Sequence, residues 1–142
     1  MRAIDTARPP FALAARVIGA ALVIATGAIH LYLYNSGYSS VPTIGGLFVA
    51  NFVAGVVIGL LVLFRGERLW PLIGAAFCAG TFGAFLWSVE WGLFGFREHL
   101  HGTWQDRAAI VEVAGIVVCL AAVALTQRAG QRPSTLRTTP AG

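Results

Sequence analysis

The sequence predicts an all-α fold, an integral membrane four-helix bundle in up-down-up-down order with both termini cytoplasmic and one transmembrane domain over 11–126. Three observations carry this reading. Of 142 residues, 57% are hydrophobic and 11% charged, whereas a soluble domain is about a quarter charged; mean hydropathy is +0.75. The apolar residues gather into four runs, each close to the roughly 20 residues that a hydrocarbon core requires at ~1.5 Å rise per residue. The arginines then orient the runs. With both termini and the second loop inside, Arg2, Arg8, Arg16, Arg65, Arg68, Arg128, Arg132 and Arg137 are cytoplasmic, and only Arg97 and Arg107 are outside. That is a strong positive-inside bias over short loops.

Residues 1–10, with Arg2, Asp5 and Arg8 ahead of Pro9-Pro10, read as a cytoplasmic tail. The first helix is expected over 11–34. A cleaved signal peptide is the competing reading, because small residues surround Ala25 to Ala28, but Ile29 to Tyr34 stays apolar and aromatic where a secreted chain would turn polar. Tyr32, Tyr34 and Tyr38 fall where an interfacial aromatic belt belongs.

Thr43 is the expected N-cap of a second helix over 44–64, and Gly66 its left-handed cap. Pro71 fits the first turn of a third helix over 70–91, where its missing N–H costs nothing. Thr103 or Asp106 caps a fourth helix over 106–126. The rest, 127–142, is rich in Arg, Thr and Pro and reads as a disordered cytoplasmic tail.

Two further patterns bear on architecture. Val53-Ala-Gly-Val-Val-Ile-Gly-Leu60 resembles Val113-Ala-Gly-Ile-Val-Val-Cys-Leu120, and Gly19-Ala-Ala21 with Thr26 matches Gly74-Ala-Ala76 with Thr81. Either two hairpins repeat about an axis along the membrane normal, or Ala, Gly and Val strings match by chance. Cys78 and Cys119 lie inside apolar runs without metal-ligand spacing and read as small packing residues.

Charge and motif exclude several functions. The net charge of +4 is scattered over loops and tails with no basic face to track phosphates, so nucleic acid is not an expected partner. Asp5 and Glu67 reduce the inner side to +6, while Glu90, Glu98, Asp106 and Glu112 outweigh two arginines and leave the outer side at −2. The outer half attracts cations. No nucleophile or redox motif supports an enzyme. The first-helix acid of small multidrug exporters, the paired histidines of a bundle cytochrome b and the CxxC of vitamin K epoxide reductase-like enzymes are all missing.

Each span carries one conspicuous polar residue: His30, Asn51, Glu90 and Glu112. Measured from the run midpoints, they lie ~10, ~5, ~13 and ~8 Å toward the same outer surface at ~1.5 Å per residue. Helical steps of three, four and seven from them reach small residues, among them Gly27, Gly55, Gly83 and Gly115. Small residues mark the faces along which membrane helices approach, so all four are expected to face inward.

Two functional readings follow. In the first, His30, Glu90 and Glu112 bind a divalent metal ion or relay protons in the outer leaflet, with Asn51, His99 and His101 as contributors; the loop carrying Glu98-His99-Leu100-His101 would then lie over them as a lid. In the second, the chain is an accessory or scaffold subunit that docks on a membrane partner, or on another copy, through its small-residue faces, and the polar residues are interhelical glue. Both place the chain in a lipid bilayer. The arginine-only basic set, with abundant Ala and Gly, points to a bacterial inner membrane.

Overall fold

The computed structural model describes residues 10–130. Four helices follow one another: α1 (Pro10–Asn35), α2 (Ile44–Phe64), α3 (Leu69–Glu90) and α4 (Thr103–Gly130), with a short 3-10 turn at Tyr38–Ser40. All four are long and apolar enough to cross a membrane, which suggests a multi-pass membrane protein. Most of the expected tails, 1–9 and 131–142, lie outside the described residues. The expected disordered stretch is shortened, because 127–130 continue α4.

Outward faces are apolar, which suits a lipid surrounding better than water. Val53, Val57, Leu60 and Phe64 are exposed along α2, and Ile110, Val113, Val117 and Leu120 along α4. Inside, glycine sets the packing, since helices in lipid gain from close approach and not from leaving water. A Cβ on Gly27 would stand 3.0 Å from the Phe52 carbonyl, and one on Gly55 would stand 3.0 Å from the Val23 carbonyl. These contacts lay α2 antiparallel against α1.

Gly19 and Gly74 both close on Cys119 Sγ, and Gly115 admits Cys78 Sγ to 2.7 Å of where its Cβ would be. Val23, Ala75, Cys78 and Cys119 form the centre of the core. Both cysteines are buried and free. They fill the space that the glycines leave.

The bundle is not closed evenly. α1 packs along α2 and α4, and α3 along α4, but α2 and α3 touch sparsely. One seam therefore stays loose.

Two local expectations need correction. Thr43 precedes α2 but makes no side-chain cap; its φ of 67° belongs to a γ-turn in which the Ile44 N–H donates to the Pro42 carbonyl at 2.7 Å. Positive φ is rare for a β-branched residue and strained by about 1–3 kcal/mol. Gly66 is not in the left-handed region; α2 ends at Arg65 in an extended conformation (φ −86°, ψ 128°).

Arg16, inside the expected first helix, lies within α1, 5% exposed, and its guanidinium donates to the carbonyls of Val62, Leu63 and Arg65 at 2.7–3.3 Å. An arginine from the neighbouring helix thus does what Gly66 was expected to do, satisfying carbonyls that a helix leaves open at its C-terminus.

Candidate functional site

At the opposite end of the bundle from Arg16, a cavity of about 470 Å³ lies between α2 and α3 and reaches inward to α1 and α4. His30, Asn51, Thr81, Glu98, Gln105 and Glu112 supply most of its polar groups, and leucine, alanine and phenylalanine form its walls. Several wall residues are also exposed on the outside of the bundle, namely Leu47 and Ala50 on α2 and Ala76, Gly80 and Ala84 on α3. The cavity opens sideways through the loose seam.

Each polar group is held differently. His30 Nδ1 is 2.8 Å from the Thr26 carbonyl one turn back; a carbonyl only accepts, so Nδ1 carries the proton and the neutral ring keeps its lone pair on Nε2. The ring stands edge-on to Phe48, 4.9 Å between centroids. Asn51 Nδ2 donates to Thr81 Oγ1 at 3.0 Å. That hydroxyl already donates to the Phe77 carbonyl at 2.9 Å, so only a donor fits opposite it and the amide orientation is fixed. Asn51 Oδ1 is left buried with no partner.

Glu112 is the deepest of these groups at 1% exposure, and its Oε2 also lacks a hydrogen-bond partner. An unpaired carboxylate anion in hydrocarbon costs a few kcal/mol or more. Apart from His30, no basic side chain lines the cavity. Its two unpartnered atoms, Asn51 Oδ1 and Glu112 Oε2, are both oxygens.

The expected trio is divided. His30 and Glu112 line the cavity together with Asn51, but Glu90 is exposed at the end of α3 and does not line it. Its contribution is a backbone carbonyl, which accepts from Arg97 Nη2 at 2.7 Å. Among the described residues, no three His, Cys, Asp or Glu side chains gather as a metal-holding group. His99 and His101 are exposed as well; His101 Nδ1 meets Asp106 Oδ1 at 3.5 Å.

In place of Glu90 the loop brings in Glu98. Gly92 (φ 80°) ends α3 in the left-handed region, and Phe94 (φ 50°) with Gly95 (φ 81°) makes a tight turn closed by two backbone bonds between Leu93 and Phe96 at 2.7 and 2.9 Å. Positive φ at both central residues is the type I′ pattern, usually Asn-Gly. The Ser88 carbonyl then accepts from the Glu98 N–H at 3.3 Å. The loop is folded back over the cavity.

Tyr38 locks it there. Its hydroxyl donates to Glu98 Oε2 at 2.7 Å, and Gln105 Nε2 reaches Tyr38 Oη at 3.3 Å and Glu98 Oε1 at 3.4 Å. Its ring stacks on Phe48 at 4.9 Å and meets Phe96 edge-on at 5.7 Å. Burial, and then the hydrogen bond and negative charge of Glu98, push the Tyr38 phenol well above its ordinary value, so it remains a donor at physiological pH. Gly45 makes room for this turn, because a Cβ there would come within 2.8 Å of the Tyr38 carbonyl.

Of the residues that the sequence singled out, His30, Asn51, Glu112 and Glu98 of the expected lid line the cavity; Gln105 was passed over, and Tyr38 was read only as part of an aromatic belt. The one available signal for the turn was Gly92 with Gly95, one ending α3 and one inside the turn, both left-handed. No family description, curated protein or solved structure matches the chain.

Proposed function

We propose that this chain is a non-catalytic membrane protein of the bacterial inner membrane that takes a cation into the cavity at Glu112, exchanging it for a proton. Four spans in up-down-up-down order, with both termini cytoplasmic, would put Arg65 and Arg68 inside and the cavity in the outer leaflet, as the distribution of arginine favours. The observation that carries the reading is Glu112, 1% exposed with an unpartnered Oε2. In such a place a carboxyl has two tolerable states, the neutral acid and the anion with a cation against it. Moving between them releases a proton.

Within the cavity, Asn51 Oδ1 and the lone pair of His30 are further acceptors for the ammonium or ion. The absence of a three-ligand group among the described residues favours an organic cation over a divalent metal, which wants several hard ligands. The accessory-subunit reading loses one support: Gly55 and Gly59, the GxxxG pair on α2, are occupied by α1.

Proton release in weakly buffered micelles tests the proposal, with butylammonium as probe. Wild type should release about one proton per ligand bound, and Glu112→Gln should neither bind nor release. Equal binding by both proteins would sink the exchange mechanism.

A further inference from the structure

The geometry points to a bilayer-resident amphiphile with an ammonium head as the ligand, its head at Glu112 and Asn51 and its chain leaving sideways between α2 and α3. This rests on the cation-binding reading above and goes beyond it by naming the ligand class and its route.

Three observations converge. The polar interior is acceptor-biased, with Glu112 Oε2 and Asn51 Oδ1 both buried and unpartnered and no arginine among the lining residues; this complements a cationic donor and repels a phosphate or carboxylate head. The remaining wall is hydrocarbon, formed by residues such as Leu33, Phe77 and Phe85.

The third observation is the seam itself. Ala76, Gly80 and Ala84 line the cavity at four-residue intervals along α3 and are exposed, and a Cβ on Gly80 would meet nothing within 4 Å. Small residues on membrane helices ordinarily receive a neighbouring helix, as Gly19, Gly27, Gly55 and Gly115 do here. Gly80 receives none, although α2 stands across the seam. The strip from Ala76 to Ala84 runs about 12 Å at ~1.5 Å per residue, shorter than an extended sixteen-carbon chain. Such a chain cannot be enclosed and must pass through the seam into lipid, where it loses nothing by staying.

The loop closes the other way out. Tyr38 and Glu98, joined at 2.7 Å, lie toward the aqueous end, so a ligand arriving through the seam need not break that bond.

Full-length protein in nanodiscs, titrated with butylammonium and with hexadecylammonium, separates this inference from the reading beneath it. Binding is read as thermal stabilisation, which grows with ligand over dissociation constant. Gly80→Leu should weaken hexadecylammonium at least tenfold and leave butylammonium within twofold, and Ala84→Leu should repeat the pattern. Gly83→Leu, on the same helix but away from the cavity, should change neither. If Gly80→Leu and Ala84→Leu leave both amines unaffected, or weaken both equally, the lateral route is wrong while cation binding stands. If neither amine stabilises wild type, or hexadecylammonium stabilises Glu112→Gln as well, the cation-binding reading falls and the inference with it.

Discussion

Arg16 and Glu112 occupy opposite ends of the bundle, each almost wholly buried at 5% and 1% exposure, and the chain treats them in opposite ways. Arg16 spends its guanidinium on four hydrogen bonds to three carbonyls at the end of α2. Glu112 has an oxygen with no hydrogen-bond partner. Both side chains are withdrawn from the surface to a similar degree, so burial alone does not distinguish a structural group from a functional one. Satisfaction does. A buried group whose bonds are complete holds helices together, and one left incomplete is open to a further partner.

The largest effect is expected where the bonds are complete. Arg16→Ala strips three carbonyls of their donor, that of the fully buried Val62 among them, and should cost about 3 kcal/mol, since a charged hydrogen bond contributes about 1.5–3 kcal/mol and unsatisfied acceptors add to the loss. Arg16→Lys, a point donor without the fork, should recover no more than about half of that. Denaturation in mixed micelles measures both, and a loss below about 1 kcal/mol for the alanine variant would reduce Arg16 to a surface-like contact.

Glu112→Gln should move stability by less than about 1 kcal/mol, with any change toward stabilisation, because removing an ionisable group from a functional site commonly relieves the fold while abolishing the activity. This variant sharpens the comparison most. A destabilisation matching that of Arg16→Ala would mean that Glu112 is bonded in the folded state and serves as interhelical glue.

How far the sequence reached follows the same division. The spans were legible to within three residues at each internal boundary, because hydropathy and length are properties of the segment itself. His30, Asn51 and Glu112 were legible because each is the lone polar residue of an apolar run, and a helix fixes the face such a residue occupies. Glu90 was misplaced for a related reason. It sits at the last position of α3, where one residue of helix rotates a side chain by about 100°, and only Ser88 on that turn is buried. Arg16 was counted only as a cytoplasmic charge, because counting arginines by side says nothing of what each one touches. Glu98, Tyr38 and Gln105 belong to three separate segments, and their meeting depends on a turn with Phe94 at φ 50°, a conformation that phenylalanine rarely adopts and no pattern announces.

Tyr38→Phe should give the smallest effect and test whether the lid is a side-chain latch. Phenylalanine keeps the stack on Phe48 and the edge contact with Phe96, so only the bonds of the hydroxyl are lost, the short one to Glu98 and the longer one from Gln105. Glu98 keeps its bond from the His99 N–H at 3.0 Å, and one neutral donor to a carboxylate in a half-exposed place contributes about 1 kcal/mol. Global stability should therefore barely change, while the Glu98 amide, which donates to the Ser88 carbonyl, exchanges its hydrogen about fivefold faster, at 1.4 kcal/mol for each tenfold. Local opening of that size is confined to the loop because the helices beneath it open only with the whole bundle. If the amide exchanges at the wild-type rate, the turn from Leu93 to Phe96 holds the loop without Tyr38; if amides along α2 quicken as well, the tyrosine belongs to the packed end of the bundle and the lid is part of its core.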